Sequence, residues 1–154
     1  MIQRIQSIYL LITTLLTGNL MFSTMGTISS EQGIFALKFL GLIDITNPQQ
    51  PTIVFSTWPL MVLIVVTTLM SVLTIFLFKK RFLQIRICGL NIGLLAGLTG
   101  LILYTLHSLG KNIEGTLNYS ISMFLPILGI ILTILAIRAI GRDEALIKSV
   151  DRLR

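Results

Sequence analysis

The stretch WPLMVLIVVTTLMSVLTIFLF, from Trp58 to Phe78, decides the fold class of this chain, because it contains no charged side chain. A bilayer core about 30 Å thick needs roughly 20 apolar residues of helix at about 1.5 Å per residue. The basic residues Lys79, Lys80 and Arg81 follow directly, which is typical of the end of a membrane-spanning helix. We therefore expect this stretch to cross a membrane.

The composition of the whole chain supports a membrane protein. Of 154 residues, 54% are hydrophobic and 12% are charged, against about 25% charged in an ordinary soluble domain. Such a composition excludes most soluble domains, which must cover a surface with polar groups, and it also excludes a disordered chain. A single cysteine, Cys88, excludes an intramolecular disulfide framework.

Three more apolar segments have the length of a membrane span, which gives four predicted spans at 5–25, 58–78, 87–107 and 121–140. The remaining chain forms a long loop, 26–57, and a tail, 141–154. The first segment follows Arg4 as a secretory signal would, but it is too long and no small-x-small cleavage site follows it, so we expect it to be retained. The predicted fold is an all-α membrane protein: one domain, 1–154, forming a four-transmembrane-helix bundle.

The basic residues predict the orientation of these spans. Ten of the 12 Lys and Arg residues fall on the side that holds both termini, and only Lys38 and Lys111 fall on the other. Because basic residues are retained on the cytoplasmic side, we expect a multi-pass protein with both termini in the cytoplasm. The same distribution explains the net charge of +6, so we expect no nucleic-acid partner.

The long outer loop has the pattern of a small β-hairpin. Residues 34–46 are strand-like, 47–51 read as a turn, and 52–56 form a second strand-like run. The layout is similar to that of claudin-like tetraspan proteins, although this loop lacks their pair of cysteines. We expect aromatic residues at the outer membrane interface, namely Trp58, Tyr104 and Tyr119.

Small residues recur at helical spacing in every predicted span, which is typical of helices that pack closely in lipid. The third span carries the sharpest pattern, a tandem GxxxG of Gly89, Gly93 and Gly97, with Gly100 beside it. Two interpretations remain open: the glycines pack the four helices of one protomer, or they contact a second copy or another membrane protein. The other spans contribute Thr13 and Thr17; Thr67, Ser71 and Thr74; and Ser122, Pro126, Gly129, Thr133 and Ala136.

The tail after Gly141 has the pattern of a short amphipathic cytoplasmic helix. Its apolar residues share one helical face and basic residues flank them. This helix would either lie on the membrane surface, held by anionic lipids, or dock a partner. The apolar residues are Leu146, Ile147, Val150 and Leu153.

The sequence offers few candidate residues for catalysis or transport. No Asp, Glu, Lys or Arg lies deep within a predicted span, whereas pumps and transporters usually place ionisable residues there. One His and one Cys do not make a metal site or a thiol redox pair. We therefore predict a protein that is not an enzyme and has no metal or cofactor. Asn91 is expected to make a hydrogen bond between helices.

The two ends of the chain resemble a known family. MIQRIQSIYLL at the start and LAIRAIGRDEALIKSVDRLR from Leu135 onward are similar to an uncharacterised Bacteroidota family of four-helix membrane proteins, the domain of unknown function 4293. The resemblance implies a Gram-negative inner membrane. It also implies a cytoplasmic face on which Arg4 would lie near a tail carboxylate, formed by Gln3, Arg4, Gln6, Arg142, Asp143, Glu144, Asp151 and Arg152.

These observations favour a non-catalytic accessory subunit or scaffold of a larger inner-membrane complex. Its partners would be membrane lipids and other membrane proteins, with a homo-oligomer possible through the glycines. The alternative is a lipid- or small-molecule-binding protein or facilitator, with a cleft under the outer hairpin.

Overall fold

The computed structural model describes residues 3–31, 33–47, 52–77 and 80–151, which form four α-helices and five β-strands. The strands occupy the connections between the first and second helices and between the third and fourth. A short 3-10 helix, Ile121–Phe124, precedes the last α-helix. In chain order the elements are α1 Gln3–Asn19, β1 Gly26–Ser30, β2 Gly33–Lys38, β3 Gly41–Asp44, β4 Thr52–Ser56, α2 Trp58–Phe76, α3 Arg81–Ile113, β5 Thr116–Tyr119 and α4 Leu125–Asp151.

Three helical segments within the described residues are long and apolar enough to cross a membrane: Trp58–Phe76, Arg81–Ile113 and Ile121–Asp143. This result is consistent with a membrane protein, but it differs from the four spans that we predicted. Helix α1 is only 17 residues long, about 25 Å of helix. It nevertheless packs with the others, because α1 contacts α2 and α4, and α3 contacts α2 and α4.

The predicted first span, 5–25, is too long because α1 ends at Asn19. After Asn19 the chain makes a tight turn, in which the amides of Leu20 and Met21 bond to the carbonyls of Thr17 and Gly18. Gly and Asn are residues that commonly follow or end a helix. The chain then extends into β1, which shortens the helical part of the predicted span.

The prediction of an all-α bundle with a small hairpin is wrong, because the described residues contain a five-stranded antiparallel sheet. Its strand order is β4-β3-β2-β1-β5. The first four strands belong to the loop after α1, and β5 comes from the connection between α3 and α4. Gly26 of β1 lies opposite Tyr119 of β5, so residues far apart in sequence complete the sheet.

The predicted single strand over 34–46 is two strands, and Gly41 explains the division. Phe39 and Leu40 form a two-residue turn between β2 and β3, in which Lys38 pairs with Gly41. Gly41 has φ +143°, a backbone conformation that side chains with a Cβ rarely adopt. A Cβ at this position would also meet the backbone carbonyl of Phe55 on β4.

The predicted short tail helix is not a separate element, because α4 continues through Gly141 to Asp151. Gly141 has no neighbour within 4 Å of the position of a Cβ, and nothing in the surrounding packing requires a break there. The side chains of residues 144–151 lie outside the described part, so the amphipathic face proposed for them stays a prediction. Pro126 lies in the first turn of α4, where a missing N–H costs no hydrogen bond.

The main hydrophobic core joins the sheet to the helices. Its fully buried side chains include Ile28 and Leu37 of the sheet, Ile64 of α2, and Ile102 and Leu106 of α3. A second, smaller cluster forms around Leu10, Cys88, Ala136 and Ile140. We call the end of the helices that carries the sheet the sheet end, and the opposite end, where Gln6 of α1 contacts Asp143 of α4, the termini end.

Candidate functional site

The small residues of α1, α2 and α4 face the interior, as the sequence predicts. Thr13, Thr17, Thr67, Ser71, Thr74, Thr133 and Ala136 are fully buried. Their hydroxyl groups bond mainly to carbonyls of their own helix, as Thr67 does to Leu63 at 2.9 Å. The side chains are therefore small and have satisfied hydrogen bonds, which suits close packing between helices in lipid.

Gly129 of α4 lies within this interior packing. A Cβ placed on it would lie 3.4 Å from Cγ2 of Thr13 and 3.5 Å from Cδ1 of Leu95. Both distances are ordinary van der Waals contacts, so the site has room for one methyl group and little more. Gly129 therefore lets α4 approach α1 and α3 closely.

The glycines of α3 face the other way. Gly89, Gly93, Gly97 and Gly100 are all exposed, and a Cβ on any of them would have no neighbouring atom within 4 Å. We call these four residues the glycine ridge. The sequence allowed two interpretations of these glycines: packing of the helices within one protomer, or contact with a second protein. The described structure does not agree with the first.

The position of the glycine ridge follows from helical geometry. The buried residues of α3 include Asn91, Leu95 and Leu98, and Gly93, Gly97 and Gly100 each come two positions later. At 3.6 residues per turn, two positions correspond to about 200° around the helix. The glycine ridge therefore lies on the side of α3 opposite its packed face.

Glycine in a helix costs about 0.8–1.0 kcal/mol per residue relative to alanine. At crowded helical positions a close contact compensates for this cost, and Gly110 of α3 is an example, since a Cβ there would lie 2.5 Å from Cδ2 of Leu117. The glycine ridge has no such contact within the described residues.

The packed face of α3 carries the hydrogen bond between helices that the sequence predicts for Asn91. Its Nδ2 donates to Oγ of Ser71 on α2 at 3.0 Å, and both residues are fully buried. Nearby, Nε2 of Gln84 donates to the carbonyl of Thr74 at 3.1 Å. These bonds fix α2 against α3 and leave the glycine ridge on the opposite side.

The predicted cytoplasmic face is described only in part. Gln6 donates a hydrogen bond to Asp143, both residues being buried, while Arg142 beside them is exposed. Gln6 and Asp143 therefore join the first and last helices at the termini end. The side chains of Gln3, Arg4, Glu144 and Asp151, and all of Arg152, lie outside the described residues, as does the predicted pairing of Arg4.

A cleft of about 490 Å³ opens at the sheet end. One wall is β4 with the first turn of α2, and the other is the last part of α3. Its lining is mainly apolar, including Phe55, Leu60 and Leu101, and none of its lining residues is charged. Trp58 and Tyr104, which also line it, are 66% and 71% exposed. Its volume lies within the range of about 300–1,000 Å³ that is typical of small-molecule sites.

Thr57 gives this cleft a polar feature. The residue lines the cleft and is 4% exposed, and its Oγ1 has no hydrogen-bond partner in the part of the chain that the structure describes. As the residue that precedes α2, its hydroxyl makes no capping hydrogen bond either. A buried hydroxyl without a partner costs about 1–3 kcal/mol, so a bound polar group there would be favourable.

Sequence reasoning did not identify Thr57 or the walls of the cleft. The local signal is STWP at residues 56–59, in which a hydroxyl residue and a proline mark the start of a helix. That signal predicts the helix boundary, but the partner wall belongs to α3 and is distant in sequence. Among the described residues, no group of three or more His, Cys, Asp and Glu could hold a metal ion.

The fold combines helices that are long and apolar enough to cross a membrane with an antiparallel sheet at one end of them. The chain belongs to the family described as Domain of unknown function (DUF4293), whose model matches residues 2–153. This match confirms the resemblance that the two ends of the sequence indicated. No curated protein matches this chain.

Proposed function

We propose that this chain is a non-catalytic integral membrane protein that acts as an accessory subunit or scaffold of a larger complex. The observation that supports this function is the glycine ridge, whose four residues are exposed and have no intramolecular contact in the described structure. Glycines at this spacing allow two helix backbones to approach closely, and in lipid such packing is a main source of helix association.

The occupant that fits the glycine ridge is a transmembrane helix of another membrane protein. The ridge lies within α3, which is long and apolar enough to cross a membrane, and a neighbouring helix would reach it within the bilayer. Exposed apolar side chains flank it, including Leu90 at 53% and Leu103 at 42% exposure. Such a surface offers van der Waals contact and no charge, which suits an apolar helix.

We further propose that the protein lies in a bacterial inner membrane with both termini in the cytoplasm. The support comes from the basic residues, ten of which fall in the sequence on the side of the predicted spans that holds both termini. The sheet would then face the periplasm. We also propose a Gram-negative, Bacteroidota source, which the resemblance of the two ends of the sequence implies.

The cleft at the sheet end supports a second candidate function, a lipid- or small-molecule-binding protein or facilitator. An uncharged, mostly apolar lining and a buried hydroxyl without a partner are features of a binding site for an amphiphile. This function would use β4 and α3 rather than the glycine ridge, so separate variants can test the two.

Substitution of Gly93 by leucine tests the scaffold function. Gly93→Leu should leave the protomer folded, because its Cβ would meet no other atom, and helix propensity would add up to about 1 kcal/mol of stability. The same side chain would prevent close approach of a second helix. We expect recovery of the native complex, purified in mild detergent, to fall at least tenfold at an unchanged level of monomer.

Gly18→Leu is the matched control, since Gly18 of α1 also has no neighbour within 4 Å of a Cβ. It should leave complex recovery unchanged. A photo-crosslinker at Ala96, which is exposed beside the ridge, should identify the bound helix and distinguish another protein from a second copy. Equal recovery of one defined complex with Gly93→Leu and with the original chain would contradict the proposal.

A further inference from the structure

We propose that the cleft at the sheet end binds one acyl chain of a membrane glycerolipid, with the ester carbonyl of that chain accepting a hydrogen bond from Thr57. This inference rests on the second candidate function, lipid binding, and is independent of any helix docking at the glycine ridge. It names the ligand class, the polar contact and the position of the ligand relative to the fold.

The position of the cleft indicates a lipid. Trp58 is the first residue of α2, and Ile113, which also lines the cleft, is the last residue of α3. The cleft therefore lies where the apolar helices end and the sheet begins. The exposed rings of Trp58 and Tyr104 border it, and such aromatic residues are enriched at the membrane–water interface. At that depth, the ester region of a lipid lies beside the cleft.

The chemistry of the lining selects the ester region over a charged head group. The cleft has no Lys, Arg or His to pair with a phosphate and no Asp or Glu to pair with an amine. Its apolar side chains suit hydrocarbon. The hydroxyl of Thr57 is a donor without a partner among the described residues, and a neutral carbonyl oxygen satisfies it without burying a charge.

The hydroxyl group of Thr105, on the α3 wall, differs from that of Thr57. Oγ1 of Thr105 already donates to the carbonyl of Leu101 at 2.8 Å, so it does not need a ligand. Thr57 is also the more buried of the two residues. Of the hydroxyl-bearing residues that line the cleft, only Thr57 is buried. We therefore assign the donor that positions the ester to Thr57, and the apolar side chains of the lining hold the acyl chain.

The chain provides its own reporter for this site. Trp58 is the only tryptophan in the sequence and it lines the cleft. In detergent solution, the full chain can be titrated with a phosphatidylcholine whose acyl chains carry bromine atoms, which quench tryptophan fluorescence on contact. We expect saturable quenching at about one lipid per protein.

Two variants on α3 test whether the cleft holds the lipid. Ser108 lines the cleft and is half-buried, so Ser108→Phe should fill it and weaken binding at least tenfold. Leu83 is exposed on the same helix but does not line the cleft, so Leu83→Phe should change the affinity less than twofold. Quenching that does not saturate, or that Ser108→Phe leaves unchanged, would overturn the site.

The hydrogen bond has its own test, which does not depend on Ser108→Phe folding correctly. Thr57→Val keeps the shape of the side chain and removes the donor, so it should weaken binding of the ester lipid about fivefold. A brominated diether analogue, which lacks the carbonyl, should bind the original chain about fivefold more weakly and should not respond to Thr57→Val. Equal losses for ester and ether lipids would contradict the contact.

Gly93→Leu separates this inference from the scaffold function. The variant should bind the brominated lipid with the affinity of the original chain, since Gly93 lies outside the cleft. If Gly93→Leu loses the complex but keeps its affinity for the lipid, the result supports a lipid site in the cleft that is separate from the glycine ridge. Loss of saturable lipid binding in Gly93→Leu would contradict the separation of the two sites.

Discussion

Helices α3 and α4 both carry a row of small residues that includes glycine and suits close packing, yet they present these rows to different surroundings. On α4, Gly129 lies between Thr13 and Leu95, within 3.5 Å of both if a Cβ is added. On α3, a Cβ added to Gly93 or Gly97 would have no neighbour within 4 Å among the described residues. The comparison shows that glycine spacing predicts a face for close approach but not whether the partner belongs to the same chain.

The remaining residues of the two helices explain this difference. The row on α4 continues into Thr133 and Ala136, which are fully buried, so small and packed residues coincide. The row on α3 is offset from a separate packed stripe that includes Asn91 and Leu95. A helix with two distinct stripes has two surfaces available for packing, and the interior of this protein uses only one of them.

The largest predicted effect would come from Gly129→Leu. The added side chain would overlap Thr13 and Leu95, and overpacking of a closely packed interior typically costs about 1–3 kcal/mol. We expect a loss near 3 kcal/mol, because three helices meet at this point. Unfolding in mild detergent with increasing sodium dodecyl sulfate, followed by circular dichroism, would measure it.

Gly129→Ala provides the control for this prediction. Its Cβ would make ordinary contacts at 3.4 to 3.7 Å, so the stability should change by less than about 1 kcal/mol. Gly93→Leu should lose no stability in the same assay and gain up to about 1 kcal/mol from helix propensity. If Gly129→Leu and Gly93→Leu had equal effects, the distinction between inward and outward glycines would be wrong.

A smaller effect is expected from Ser71→Ala, which tests the packed side of α3. The variant removes the acceptor of the Asn91 amide and leaves a buried donor without its partner. Such a loss costs about 1–2 kcal/mol, again measurable by detergent unfolding. Thr68→Val should cost less, because the Thr68 hydroxyl bonds only to the carbonyl of Ile64 in its own helix. Similar losses for the two variants would argue against a stabilising bond between helices.

The smallest effect concerns the sheet and its response to acid. The side-chain and backbone hydrogen bonds from Thr46 lower the pKa of Asp44 below its ordinary value of 3.8. A lowered pKa means that the carboxylate stabilises the fold at neutral pH and loses this contribution as the pH falls through the folded-state pKa. Asp44→Asn should remove that part of the pH dependence, seen as a small difference between unfolding curves at pH 7 and pH 3.

Neither the row of small residues on α4 nor the glycine ridge on α3 contains a titratable group. Gly129→Ala and Gly93→Leu should therefore keep the pH dependence of the original chain. If either glycine variant changed the pH dependence of unfolding, the packing at these glycines would be coupled to charged groups elsewhere in the protein. An unchanged response in Asp44→Asn would exclude Asp44 as the titrating group.

The sequence predicts the features that depend on local pattern. The apolar run 58–78 predicts α2 to within two residues of its observed end at Phe76. The small residues Thr67, Ser71 and Thr74 are buried as expected. The match of the family model to residues 2–153 also agrees with the resemblance that the two ends carry. In each case neighbouring residues along the chain contain the necessary information.

The features that depend on distant pairing could not be predicted in this way. Residues 116–119 are too few to indicate a strand on their own, and they become β5 because they pair with β1. The run 34–46 divides into β2 and β3 just before Gly41. The need for glycine at this position includes the approach of Phe55 from β4, which is distant in sequence. The cleft likewise requires α3 to stand beside β4, which no local pattern indicates.

The pairing of Gly26 with Tyr119 has a consequence for the order in which the protein forms. Strand β1 is synthesised before α2 and α3, whereas β5 follows them, so β1 lacks its second neighbour until most of the chain has been made. If α2 and α3 span a membrane as proposed, β5 reaches the side that holds β1 only when both have crossed. Closure of the sheet therefore depends on correct insertion, and a chain with a misplaced helix retains an unpaired strand edge, the kind of surface that promotes aggregation.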